Sequence, residues 1–506
     1  MPFQLAPFGD VGEAGLSAAL LAALLDEHRR AALPRAELFW SYYRNALDTS
    51  GGTPASRAGA SRPYRLAQER GLPARLTGAR APVWHDDRAI ARREIVIEND
   101  IAWRVHAMVD FLFGRSIRLV SAAADPALRE RIERALDAAW EASGGMTLLQ
   151  DAALLAHVHG HVDFVVRAPE SLADSFALPS AERSAHAHLD AARRLRIEVI
   201  DPSRGVPITR AADYRELDGY VIHFRRPSTR IDPATGRRGF VLVTEILSGS
   251  TRQVYEEDAT PSHAGFAAGP RLVLEEPNFV HPGRVPVVHV QNVSQPFTYS
   301  GLSEIEPLIP LQDELNTRLS DRASRVTMQS FKMYLAKGID GFDKFPVAPG
   351  TVWSTDNPDA EISAFGGDGS SPSEDAHIAQ IREALDKQSG VPPLATGVVQ
   401  AKVGNLSSEN ALRLTLSGLL ARTQRKRLLY ARGIEQVCGL LLSALDAAGA
   451  LPTTPGDRAI RVQWPDPLPA TETDALAAAR AKRDLGVETD QVLGEIGYGR
   501  ADVGVT

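Results

Sequence analysis

Cysteine is almost absent. The 506 residues hold only Cys438, which excludes intramolecular disulfides and thiolate zinc clusters. Cys438 lies in an apolar helical run, where a free thiol is expected to be buried and inert. No stretch reads as the ~20 consecutive apolar residues of a membrane span. Near the start, "AGLSAALLAALLDEHRR" is short, lacks a basic lead and ends in charge. It reads as a soluble amphipathic helix, not a signal peptide. Positive charge is not in excess either: the net charge is -7 and the pI near 6.0. That argues against gripping nucleic acid by bulk basicity, though not against letting DNA slide past. H-E-x-x-H, G-x-S-x-G and C-x-x-C are missing, so no familiar hydrolytic or redox chemistry is supported. What is present is 44% hydrophobic content, enough for proper cores, in a chain long enough for roughly three domains. The expected class is cytosolic and globular.

The chain divides by pattern. Residues 14–48 read as two helices broken at Pro34, and 49–90 as a Gly-, Pro-, Ala- and Arg-rich surface excursion. The helix "NDIAWRVHAMVDFLFG" has Asn99 as N-cap and Gly114 as its stop. The strand "SIRLVSA", helices over 126–142 and 146–159 and the strand "HVDFVVRA" follow. From 194 to 292 the apolar period becomes two, predicting a β-meander of short strands. After 301 the chain is helical again, with a strand-and-loop island at 334–373 and a helix over 374–389. An apolar, glycine-containing loop at 390–407, a long helix over about 408–447, a hinge at 451–457 and a helical tail at 471–496 complete it. The fold class is α+β.

The candidate sites are few. His157, His159, His161 and Asp163 in "HVHGHVD" would share one face of a strand and could suggest a metal site. A helix-to-strand boundary at Gly160 would instead scatter them, leaving solvated or hydrogen-bonded histidines. His186 and His188 lie in an alanine-rich polar stretch and point to nothing. "FGGDGSSPSED" lacks P-loop spacing and reads as a loop ending in a Ser373 cap. The long helix carries six bases (Arg413, Arg422, Arg425, Lys426, Arg427, Arg432) with no acid between Glu409 and Glu435. A solvated face that pairs with neighbouring acids is preferred over a DNA-facing one, because no aromatics are interleaved for base stacking. In "GLSEIEPLIPLQDELNTRLSDRASRVTMQS" apolar positions at Leu311, Leu315, Leu319 and Val326 have helical spacing, with acids early and bases late.

Taken in order, these segments resemble the portal (head-to-tail connector) proteins of tailed bacteriophages, particularly the long-tailed branch. The resemblance covers about 95–450 and is carried by "NDIAWRVHAMVDFLFGRSIRLVS", "LLQDAALLAHVHGHVDFVVR", "EVIDPSRGVPIT", "RVPVVHVQNV", "GLSEIEPLIPLQDELNTRLSDRA" and "GVPPLATG". It implies a non-enzymatic ring, typically a dodecamer, through which double-stranded DNA passes without sequence specificity. No cofactor, metal or catalytic residue is implied. The implied divisions are an N-terminal arm (1–94), a wing (95–300), stem helix one (301–330), a clip (331–373), stem helix two (374–389), a tunnel loop (390–407), a long wing helix with hinge (408–457) and a crown (458–506). Stem packing would involve Leu311, Leu315, Leu319, Val326, Ile378, Ile381 and Leu385. The tunnel loop would turn Val398, Val399, Gln400, Lys402 and Asn405 toward DNA. Implied partners are the large terminase, a head-tail adaptor, the major capsid protein and scaffold, in the virion and, during assembly, the host cytoplasm. The alternatives are a metal-dependent hydrolase built on the histidine cluster and another, non-portal virion assembly protein.

Overall fold

In a computed structural model of the chain, the described residues are 16–45, 96–169, 187–231, 238–258, 269–330, 333–337, 356–365, 372–396, 409–468 and 472–487, with a few single positions between. The architecture is α+β. Ser17 caps α1 (Ala18–Glu27) by accepting from the Leu20 N–H at 3.1 Å. The helical path then widens into a π turn at His28–Ala32 and continues as α2 (Leu33–Arg44). The expected break at Pro34 is therefore absent. Proline in the first turn of a helix gives up an N–H that has no intrahelical partner there.

α3 (Asp100–Phe113) starts at the predicted Asn99 cap and ends at Gly114. β1 (Arg118–Ser121), α4 (Pro126–Ala142), α5 (Gly145–His159) and β2 (His161–Arg167) follow close to their predicted bounds. A short α6 (Ala187–Ala192) precedes the sheets. Here the single predicted meander separates into two. β4 (Gly205–Arg210), β5 (Asp213–Ile231), β6 (Arg238–Ser248), β7 (Thr251–Asp258) and β8 (Arg271–Pro277) form a five-stranded antiparallel sheet in sequence order. Its first and last predicted neighbours, β3 (Arg196–Ile200) and β9 (Val287–Gln291), instead flank β2 in the order β3-β2-β9. Nearly all of β2 is buried, as expected of a strand covered on both faces.

A turn at Glu306–Leu308 leads into α7 (Ile309–Ser330), the ribbon β10 (Met333–Lys337) with β11 (Glu361–Phe365), and α8 (Pro372–Ser389). Ser373 lies inside α8, not before it. The predicted long helix divides at Leu416 into α9 (Glu409–Thr415) and α10 (Ser417–Ala447). β12 (Ile460–Gln463) pairs with β1, tying residues 339 to 345 positions apart in the register Arg118↔Gln463 to Ser121↔Ile460. α11 (Glu472–Asp484) closes the described chain.

The main core gathers α3, α4, α5, β2, β9 and α10 around Val105, Phe113, Phe164, Tyr430, Ile434 and Val437. By length and composition alone α10 could cross a membrane, contrary to the sequence expectation. Its apolar stripe is spent in this core, where Cys438 is wholly buried and its thiol is pushed up to about 12 by desolvation. A smaller cluster joins β2 to the five-stranded sheet through Val165, Tyr220 and Leu247, and another seats α1 on that sheet through Leu21, Val221 and Tyr255.

Candidate assembly and channel elements

α8 runs back along α7. Its first turn meets the end of α7 through Arg322–Asp375 (2.8 Å) and Arg325–Glu374 (3.0 Å), and its far end meets the Glu306–Leu308 turn. Between the two helices Leu315, Leu319, Ile378, Ile381 and Leu385 are buried, and Leu311 is half-buried. Val326 is 41% exposed, so within one chain the apolar stripe of α7 ends before its last turns. Charges of both signs line the outside, where Arg318 joins Glu314 at 2.7 Å and Asp321 at 3.1 Å.

A third face of α7 is polar yet buried. Gln312, Asn316 and Ser320, spaced four apart, take the backbone of 96–100, which leads into α3, as a hydrogen-bonded rail. Ser320 Oγ accepts from the Val96 N–H (3.0 Å), Asn316 Oδ1 from Glu98 (2.9 Å) and Gln312 Oε1 from Asp100 (3.0 Å). Gln312 Nε2 also donates to the Glu98 carbonyl at 2.6 Å. Four helical residues rise about 6 Å and two extended residues about 6.6 Å, so the two periods nearly match. Beside this rail Tyr42 donates to both Asp313 oxygens at 3.0 Å, while partial burial pushes the Asp313 carboxyl up to about 6.

The approach to α7 is seated on the histidine stretch. Gly160 turns the chain from α5 into β2 with φ +99, and Gly301 lies against it. A Cβ on either glycine would meet the other's carbonyl oxygen, at 2.4 Å or 2.2 Å, so only glycine fits both positions. Ser303 Oγ donates to the Val158 carbonyl (2.6 Å), and the Glu304 N–H to that of His157 (3.0 Å). Glu304 thereby enters the core, where the Lys426 ammonium meets it at 2.7 Å and His157 Nε2 at 2.8 Å. His157 Nδ1 donates to the Ala153 carbonyl at 2.6 Å, which leaves Nε2 to accept from Lys426. Burial, with the Lys426 charge, lowers His157 to about 3, so its ring is neutral. Burial opposes the Glu304 charge, but Lys426 above all holds its carboxyl below the usual range.

The other members of the "HVHGHVD" cluster go elsewhere. His159 stacks on Trp40 with centroids 6.0 Å apart. Asp163 sits directly across β2–β9 from His289 and accepts from its Nδ1 (2.7 Å), from Tyr220 (2.7 Å) and from Tyr299 (2.6 Å). Burial pushes the neighbouring His161 down to about 3. Among the described residues no three His, Cys, Asp or Glu side chains converge as a metal site. Of the expected solvated or hydrogen-bonded histidines, His157 is buried and hydrogen-bonded, His161 is buried and His159 is half-buried. His188 is buried as well, and His186 lies outside the described residues.

Nor do the bases of α9 and α10 form one solvated face. Lys426 is buried, and Arg427 lies over the Trp464 ring at 5.1 Å. Arg413 pairs with Asp466 at 2.7 Å. Arg422 donates to the carbonyls of Ser389 and Gln388, clamping the end of α8. There Gly390 takes φ +67, and its N–H donates to Asp386 at 2.8 Å, the left-handed stop of a helix. After Pro393–Thr396 come Val398, Val399, Gln400, Lys402 and Asn405, which lie outside the described residues. The rail on 96–100, the Gly160–Gly301 contact and the buried Lys426 had no local sequence signal beyond polar residues four apart and two isolated glycines.

A paired helical hairpin rooted in a buried polar knot can position and transmit force. No curated protein matches the chain. Among solved structures it is similar to "Neck of empty GTA particle computed with C6 symmetry", at 12% identity and TM-score 0.39, over 78% of this chain and 88% of that one. It is likewise similar to "Neck of native GTA particle computed with C12 symmetry", at 14% identity and TM-score 0.40, over 78% and 89%. The family described as "Phage portal protein, SPP1 Gp6-like" matches residues 175–493. The chain belongs to that family: it is a phage portal protein, a structural, non-enzymatic component of the portal vertex of the virion.

Proposed function

We propose that the chain closes into a ring of about twelve copies, whose axial channel passes double-stranded DNA during packaging and ejection. The observation that carries this reading is the α7–α8 hairpin. It buries Leu315, Leu319, Ile378, Ile381 and Leu385 internally while leaving Val326 and charges of both signs outside. Such a flank suits a head-to-tail neighbour, whose acids can meet the bases of the next copy. In this reading 301–330 and 374–389 are the stem and Val326 meets an adjacent stem. The 331–373 segment is a clip facing the large terminase and later the head-tail adaptor. Residues 1–94 and 95–300 make the arm and wing, and 408–457 braces it. Residues 458–506 form a crown that begins at the β12 strand held by β1. Major capsid protein and scaffold contact the wing.

The 390–407 loop narrows the channel, with Val398, Val399, Gln400, Lys402 and Asn405 toward DNA. Lys402 is the sole charge between Gly390 and Glu409, so each copy adds one basic group. That limits the salt-dependent grip that every fixed phosphate contact adds. The test is electron microscopy and native mass spectrometry of the pure protein. Rings with an axial hole are expected, and monomers or dimers across concentration and salt would overturn the reading.

A further inference from the structure

One side chain lies outside every cluster described above. Phe297 is 87% exposed and has φ +65, a left-handed backbone that bulky residues rarely adopt. Its loop is nevertheless built to hold that shape. The Gln291 side-chain amide donates to the carbonyls of Thr298 (2.9 Å) and Tyr299 (3.1 Å), while its oxygen accepts from the Gln295 N–H (3.2 Å). Tyr299 is in turn anchored on buried Asp163. A lone exposed aromatic on a relaxed loop requires no explanation. An aromatic presented on a strained backbone, fixed on both sides, is a preorganised anchor.

The same chain has a complementary recess. A cleft of about 610 Å³ opens where α5 passes β3 and α2. Its apolar lining is Trp40, Leu148, Leu154, Leu155 and Val199, and Asp151 at its edge has no hydrogen-bond or ion-pair partner among the described residues. The loop follows β9, and the cleft borders β3, so anchor and recess occupy opposite edges of the β3-β2-β9 sheet. They also lie at opposite ends of it: His161↔Gln291 is the pair beside the loop, and Arg167↔Arg196 the pair beside the cleft. A surface whose two halves lie on opposite flanks cannot satisfy itself within one chain. It repeats head to tail, the contact from which a ring is made.

We propose that Phe297 of one copy seats in the α5–β3 cleft of the next and is an anchoring residue of the ring interface. Arg284 and Arg432, which border the neighbouring groove with Thr298, are exposed and unpaired among the described residues. Beside the loop that carries Phe297 they supply polar groups for the rim of an interface anchor, to meet a carboxylate such as Asp151 of the next copy. The proposal rests on the ring reading above and specifies one of its contacts.

The test mixes Phe297→Cys chains with Leu155→Cys chains under a mild thiol oxidant, the native Cys438 being buried. A covalent dimer is expected in the mixture and not in either variant alone. Phe297→Ala should leave the melting temperature of the unassembled chain unchanged and raise the concentration for half-assembly at least ten-fold. Rings that form without the mixed dimer, or Phe297→Ala assembling at the wild-type concentration, would overturn the contact and leave the ring intact as a reading. Wild-type chains that never form rings would remove the ring reading itself, and the contact with it.

Discussion

Replacing Lys426 with methionine removes the cation from a buried pair while nearly preserving side-chain volume. Lys426 and Glu304 are 5% and 9% exposed and 2.7 Å apart, and the next cation, Arg422, is 3.6 Å from Glu304. Breaking a pair this deep leaves an uncompensated carboxylate, which costs about 3–5 kcal/mol. Removing both charges costs far less, because desolvation then disappears along with attraction. Lys426→Met should therefore lose about 3–5 kcal/mol, and Glu304→Gln added to it should restore more than half. The pH dependence has a definite sign. In the wild type the Glu304 carboxyl is held below its ordinary value, so its contribution is present above about 4.5 and lost as pH falls through the lowered value. In Lys426→Met the largest opposing charge is gone and burial should outweigh the more distant Arg422, raising that carboxyl, so the folded variant takes up a proton more readily than its unfolded chain. The gap between wild type and variant should be widest near neutrality and narrow as pH falls below about 4.5. Urea unfolding followed by the fluorescence of Trp103, Trp140 and Trp464, which pack on the main core, reports it at matched protein concentration. A single variant within about 1 kcal/mol of wild type at neutral pH, or a deficit constant with pH, would refute the reasoning.

Three further outcomes are expected. Leu315→Asp places a carboxylate in a fully buried position and should abolish assembly at a cost of several kcal/mol, whereas Arg318→Gln on the exposed side should cost roughly 0–1 kcal/mol; sedimentation and thermal melts compare them. Asn316→Ala should cost about 1–3 kcal/mol and expose the Glu98 amide to hydrogen exchange, because its N–H loses its acceptor on the rail. Asp313, raised to about 6, contributes stability that is present below its unfolded value of 3.8 and lost as pH rises through about 6. At most this is about 3 kcal/mol. Screening at a half-exposed site reduces it to about 1 kcal/mol, so Asp313→Asn should flatten the pH dependence of the melting temperature between pH 3.8 and about 6.

Periodicity and caps were legible in the chain itself. Asn99, Gly114 and the 3.6-residue stripes mark α3, α4, α5 and α7 because their causes lie within a few residues of each other. The order of segments was equally a property of the chain, and it carried the resemblance to the portal family that residues 175–493 bear out. Alternation likewise marked most strands, but not their partners. β3 and β9 look like members of one meander and yet flank β2, because pairing depends on which buried edge is free in space. The charged stretch of α10 misled for a related reason. A lysine in a basic run reads as solvated until the fold brings a carboxylate 122 positions earlier, Glu304, within 2.7 Å of it.

By itself, then, the sequence determined element types, approximate boundaries, the mixed class and the family. These depend on local backbone preference and on side-chain spacing along one element. Only the tertiary structure decided that "HVHGHVD" is a seat for the approach to α7, its side chains going to separate partners, and that Gln312, Asn316 and Ser320 grip the backbone of 96–100. It also decided that the bases of α10 belong to the core, to the end of α8 and to the rim of the β-structure separately. Such assignments rest on groups remote in sequence meeting at hydrogen-bond distance. Their energies arise from shared burial, which no local pattern encodes.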